Sequence, residues 1–100
     1  MSARLDGHDG FRFRLYVSGD TPNSAQAIGN LHAICREHLP GRHEIEVVDV
    51  FREPQKALDE GIFMTPTLVK LAPLPSLRIV GTLTDTGTVL RALNPTDLAP

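Results

Sequence analysis

The chain predicts an α/β domain of order βαβαββα on a mixed four-stranded sheet, and three observations carry that expectation. In FRFRLYV, Phe11, Phe13, Leu15 and Val17 alternate with Arg12, Arg14 and Tyr16, the period-2 pattern of a half-buried strand. A stripe of apolar residues at helical spacing follows, and then a β-branched run, EIEVVDV, so that strand, helix and strand make one βαβ unit. Beyond it stand two more β-rich stretches, TPTLVKL and LRIVGTL, joined by the short APLPS, and a final helical stripe.

Each element has its own signals. After the first strand, SGDTPNS supplies turn residues, with Thr21 able to cap a helix and Pro22 suited to its first position. Ala27, Ile28, Leu31, Ile34, Cys35 and His38 or Leu39 recur at three- and four-residue spacing, and Pro40 and Gly41 close the segment. Gly29 weakens this helix by about 1 kcal/mol against alanine, a cost that close packing would offset. In EIEVVDV, Ile45, Val47, Val48 and Val50 are nearly continuous, as in a parallel strand covered on both faces. Pro54 can begin a short helix through Ala57 and Leu58, and Gly61 is placed to end it in a left-handed cap. TPTLVKL and LRIVGTL read as a hairpin. In TDTGTVLRALNP, Thr84 or Asp85 caps a helix carrying Val89, Leu90 and Leu93, and Pro95 stops it.

One hundred residues suit one domain, here residues 11–94, with a flexible N-terminus over 1–10 and a short tail over 95–100. With 41% hydrophobic and 22% charged residues the composition is that of an ordinary globular protein, and a net charge of -2 offers little to nucleic acid or anionic membrane. No apolar run approaches the roughly 20 residues of a bilayer span and MSARLDGHDG has no apolar segment of a signal peptide, so a cytoplasmic location is expected.

Chemistry is harder to place than fold. The order βαβαββα is thioredoxin-like, and in that architecture the threonine-proline pair at Thr65 and Pro66 has a cis bond facing the end of the first helix where the redox members hold their active site. Only about 5 to 6% of X-Pro bonds in folded proteins are cis, so the element order alone raises this expectation for Pro66. Where a thioredoxin would carry two cysteines the chain has Asp20, Thr21, Pro22 and Asn23, none a redox nucleophile. Its single cysteine, Cys35, lies on the apolar stripe and reads as a buried structural thiol. His8, His32, His38 and His43 show no i, i+4 pair that would put metal ligands on one helical face, and Asp49 with Glu53 is no evident acid/base pair. No catalytic residue, metal or cofactor is expected.

LYVSGDTPNSAQAIGNL, EIEVVDV, EPQKAL, TPTLVKL and PLPSLRIVGTLTD follow one another in an ordered series that resembles the KaiB family of circadian clock proteins over roughly residues 11 to 94. The resemblance implies a small non-enzymatic protein that binds the hexameric ATPase KaiC and in full clocks then recruits KaiA. The related sensor domain of a KaiC-binding histidine kinase is thioredoxin-like too, but the intact TPNS and TPTL segments look more like KaiB. Partner contacts are expected at Thr21, Pro22, Asn23, Pro54 and Gln55, at Arg14 on the polar face of the first strand, and along the exposed edge of the strand holding Ile45. The alternatives are a thioredoxin-fold redox or glutathione-binding protein using the Pro66 backbone, and a KaiB-like paralogue in stress response.

KaiB proteins adopt two folds, a tetrameric ground state with the last third repacked and a rarer monomeric thioredoxin-like state that binds KaiC. Against the family pattern, Ala92 stands where glycine is typical, Asn94 where aspartate is, Gly61 where lysine is frequent, and the acidic tail is reduced to PTDLAP. Alanine for glycine favours a helix by about 1 kcal/mol, and Gly61 marks a helix end where the thioredoxin-like state needs one. The expectation is therefore a mainly monomeric thioredoxin-like chain, with the tetrameric ground-state fold as the alternative.

Overall fold

In a computed structural model, which describes residues 10–93, the chain runs β1 (Phe11–Val17), α1 (Pro22–His38), β2 (His43–Asp49), α2 (Pro54–Glu60), β3 (Thr67–Ala72), β4 (Leu77–Val80) and α3 (Thr86–Leu93). The sheet order is β2-β1-β3-β4. β1 runs parallel to β2, as a βαβ crossover requires, and antiparallel to β3, which pairs antiparallel with β4. The result is the thioredoxin-like α/β fold expected from the order of elements. Asn94 and the residues after it lie outside the described range.

Local chemistry sets the boundaries. Thr21 Oγ1 accepts the Ser24 amide at 3.4 Å, with Pro22 in the first helical position. Gly61 closes α2 at φ 72°, the left-handed region that glycine occupies without strain, and its amide donates to the Leu58 carbonyl at 3.1 Å. Asp85 serves α3, its Oδ1 accepting the Thr88 amide at 3.1 Å, and that hydrogen bond holds its carboxyl below the usual range. The Thr65–Pro66 peptide bond is cis, as are Ala72–Pro73 and Leu74–Pro75 around the β3–β4 turn.

The larger core lies between the sheet and two helices. Phe11, Phe13, Leu15 and Val17 of β1 and Leu68 of β3 pack with Ala27, Leu31, Ile34 and Cys35 of α1 and with Val89 and Leu93 of α3. On the opposite face a smaller cluster joins Tyr16, Val48 and Val69 to Ala57 of α2 and Ile62.

Three expectations need correction. EIEVVDV is not covered on both faces: β2 is an edge strand in which Val48 alone is buried and Val47 is 41% exposed. Glu44 and Glu46, alternating along it, are the charged residues by which an edge resists further pairing. Tyr16 is not part of a polar face but is 1% exposed beneath α2, because α2 covers that face of β1 at Tyr16 and leaves it open at Arg12. Gly29 gains nothing from close packing, since it is exposed and an added Cβ there would meet no atom within 4 Å.

Lys70 was not anticipated as a core residue. It is 3% exposed on the α1/α3 side of β3, and its Nζ donates to the Leu93 carbonyl at the last turn of α3, 3.3 Å away. A cation suits a helix C-terminus, while burial pushes the ammonium pKa down from the usual lysine value.

Candidate functional site

Because β1 and β2 are parallel, with Val17 opposite Asp49, the loops leading into α1 and α2 emerge at the same end of the sheet. The Asp49 carboxylate binds them together: Oδ1 accepts the Gly19 amide at 3.1 Å and the Phe51 amide at 2.9 Å. Gly19 has φ 55°, and the Phe51 ring lies 3.6 Å from where its Cβ would be, so glycine suits both the backbone and the contact.

The start of β3 comes to this end as well, since Tyr16 pairs with Thr67. Thr65 meets Ser18 hydroxyl to hydroxyl, the Ser18 amide donates to Ser24 Oγ at 2.9 Å, and Thr21 Oγ1 donates to the same Ser24 oxygen at 2.8 Å. This hydroxyl cluster fastens the threonine-proline pair to the first turn of α1, where a redox protein would hold its thiols. The one cysteine is elsewhere: Cys35 is fully buried, and desolvation raises its pKa to about 11, leaving almost no thiolate at neutral pH.

Large apolar side chains face outward at this end. Phe51 is 73%, Phe63 88% and Met64 63% exposed, Phe51 in the loop before α2 and the other two just ahead of Thr65. Around Gly19 an open groove of about 520 Å³ is lined by apolar Val17, Ile28 and Val47, by acidic Asp20, Asp49 and Glu53 and by basic Arg52. Aromatic and methionine side chains left in water over a rigid base are suited to covering by another protein. Among the described residues no group of three or more His, Cys, Asp or Glu side chains is placed to hold a metal, and no helix is long and apolar enough to cross a membrane.

Residues 14–95 match the KaiB domain model. The chain belongs to the KaiB family. It is 43% identical over 81 residues to the circadian clock protein KaiB3 of Synechocystis sp., a match spanning 81% of this chain and 79% of that one. It is equally 43% identical, with the same coverage, to the circadian clock oscillator protein KaiB of Synechococcus elongatus. A KaiB of Prochlorococcus marinus is 42% identical over 81% of this chain and 71% of its own. Among solved structures the N-terminal domain of Synechococcus elongatus SasA superposes with a TM-score of 0.75 at 19% identity, covering 92% of this chain and 87% of that domain. Chloroplastic thioredoxin z gives 0.74 at 17% identity over 96% and 86%, a likeness of fold alone.

In this KaiB-family chain Thr21, Pro22, Asn23, Pro54 and Gln55, with Pro66 behind them, gather at the same end of the sheet, and all but the buried Pro66 are exposed. Arg14 is not with them. It lies midway along β1 on the α2 side, donating from Nε to Glu46 Oε1 at 2.8 Å, and that pairing together with Tyr16 raises its pKa. Gly61 sits away from the cluster against Arg78, Ala92 is half-buried inside α3, and Asn94 lies outside the described residues. Asp49, Phe51, Phe63 and Met64 were missed as site residues. Three consecutive large apolar residues between Gly61 and Pro66, Ile62, Phe63 and Met64, in a stretch too irregular to be a strand, were the available signal for the last two.

Proposed function

We propose that this chain is a non-enzymatic circadian clock component that docks on a KaiC-type ATPase in its thioredoxin-like conformation, and that in a host with KaiA it helps to recruit that protein. The observation that carries the reading is the convergence of Asn23, Pro54 and Gln55 with outward-facing Phe51, Phe63 and Met64 over a base fixed by Asp49. Such an end can bury apolar area at little ordering cost. Family membership and the clock names of its relatives agree with the reading. A non-enzymatic role agrees with an α1 start made of Thr21, Pro22 and Asn23 and with a buried, protonated Cys35.

Binding of the purified chain to the host's own KaiC, measured by biolayer interferometry with ATP, tests this directly. Phe63→Ala and a bulky substitution at Asn23 each weaken binding about tenfold or more with unchanged far-UV circular dichroism, and Arg14→Glu weakens it less. Wild-type affinity in both of the first two variants would move the interface to another face. A thiol–disulfide exchange and glutathione-binding assay is expected to read zero.

The thioredoxin-like monomer is also the proposed majority state. Left-handed Gly61 and helical Ala92 favour it over a repacked tetramer. Ala92→Gly with Asn94→Asp shifts the population toward a ground state, read by backbone NMR shifts and light scattering; a wild-type tetramer with helical shifts across residues 66–71 overturns the assignment.

A further inference from the structure

α2 crosses its face of the sheet with very little apolar surface beneath it. Of its own residues only Ala57 is buried, joined by Ile62 just after its end, while Leu58 on the same helix is 65% exposed. Its remaining side-chain attachments are charged, and they reach to the two edge strands. At one end Lys56 Nζ lies 3.1 Å from Glu46 Oε2 of β2 and 3.3 Å from Glu53 Oε1, and the other Glu46 oxygen is taken by Arg14. At the other end Arg78 of β4 donates from Nη1 to the Gly61 carbonyl at 3.2 Å and from Nη2 to the Glu60 carbonyl, with Glu60 Oε2 3.3 Å away. The side chains of Lys56, Glu46, Glu53, Arg78 and Glu60 are 36 to 45% exposed, so these pairs stand within reach of dissolved salt.

We infer that α2 is a strap fastened across the sheet by ion pairs at both edges, which opens as a unit of its own, ahead of β1, β3 and α3, and does so more readily as ionic strength rises. The cause is the division of labour: the apolar contact that salt leaves intact comes from Ala57 and Ile62, with half-buried Val50 and Leu71 beside them, while the side-chain attachments to both edges are made by charged groups and are screened, the Debye length falling from about 10 Å at 0.1 M to about 3 Å at 1 M. Opening uncovers Tyr16, Val48 and Val69 without disturbing the core under α1 and α3. The inference is independent of any partner.

Native-state hydrogen exchange by NMR on the full chain tests it, with the Gly61 and Ile62 amides as reporters because they donate to the Leu58 and Ala57 carbonyls. Raising sodium chloride from about 20 to about 500 mM is expected to speed their exchange roughly tenfold while β1 amides change less than about twofold. Arg78→Ala is expected to give a similar acceleration at low salt and a flatter salt response, whereas Arg12→Ala, which breaks the Arg12–Glu44 pair outside the strap, leaves both reporters unchanged. The inference is overturned if Gly61 and Ile62 exchange at the β1 rate, if the Val89 amide of α3 accelerates in step with them, or if salt has no effect on either.

Discussion

On one side of the sheet, Phe13, Leu15 and Leu68 lie beneath a seventeen-residue helix and an eight-residue one, closed in by Leu31, Ile34, Val89 and Leu93. On the other, Tyr16, Val48 and Val69 meet Ala57 and Ile62 under the seven residues of α2, with half-buried Val50 and Leu71 at the margin, and beyond them the strands carry Arg12 with Glu44 and Arg14 with Glu46. The same strands build both faces. The difference teaches that burial follows which helix arrives over a strand, not which residues the strand contains: Tyr16 is as buried as Phe13, and Val47 on the edge is nearly half exposed.

Substitutions can sharpen or break this contrast. Leu15→Ala, on the thick side, is expected to cost about 3 kcal/mol in urea unfolding, transfer and cavity costs adding where α1 cannot collapse. Val48→Ala, on the thin side, removes two methyl-sized groups at about 0.8 kcal/mol each, so about 1.5 kcal/mol is expected; a cost equal to that of Leu15→Ala would abolish the distinction. Gly29→Ala, on the solvent side of α1 where nothing obstructs a methyl, is expected to raise stability by about 1 kcal/mol, and a loss would mean the helix needs its glycine.

The smallest effect is a pH dependence of the thin face. Hydrogen bonds from Arg14, and then from Lys56, hold the Glu46 carboxyl below the usual range. A depressed folded-state pKa stabilises above the unfolded value, about 4.3 for glutamate, and that stabilisation is lost as pH falls through the folded value. Wild type should therefore exceed Glu46→Gln in thermal midpoint at pH 6 to 7, the gap closing by about pH 3. With both side chains partly in water the gap is worth less than about 1 kcal/mol; a gap that widens in acid would remove Glu46 from the account.

The order of elements was legible because each carries a local signal: alternation in β1, Thr21–Pro22 at the head of α1, Gly61 at the end of α2. How far each strand is covered was not. EIEVVDV reads, by its valines, as a strand covered on both faces and also as an exposed edge, and only the sheet order β2-β1-β3-β4 separates the two, with a register that sets Arg12 against Glu44 and Arg14 against Glu46. Those pairs are 32 residues apart, and no local pattern encodes them. At the candidate site the helix starts were found from turn chemistry, whereas Asp49 was not, since its role is to join two loops brought together only by parallel pairing.

Lys70 has a consequence for how the chain is made. Its ammonium is sealed under α3 and answered by the carbonyl of Leu93, 23 positions later. Synthesis runs from the N-terminus, so β3 leaves the ribosome before the acceptor that its lysine requires. Until α3 follows, the Lys70 side chain must stay in water, and with it the surface of β3 that bears Leu68. The first half can close as a βαβ unit while still nascent; the hairpin behind it is completed by α3.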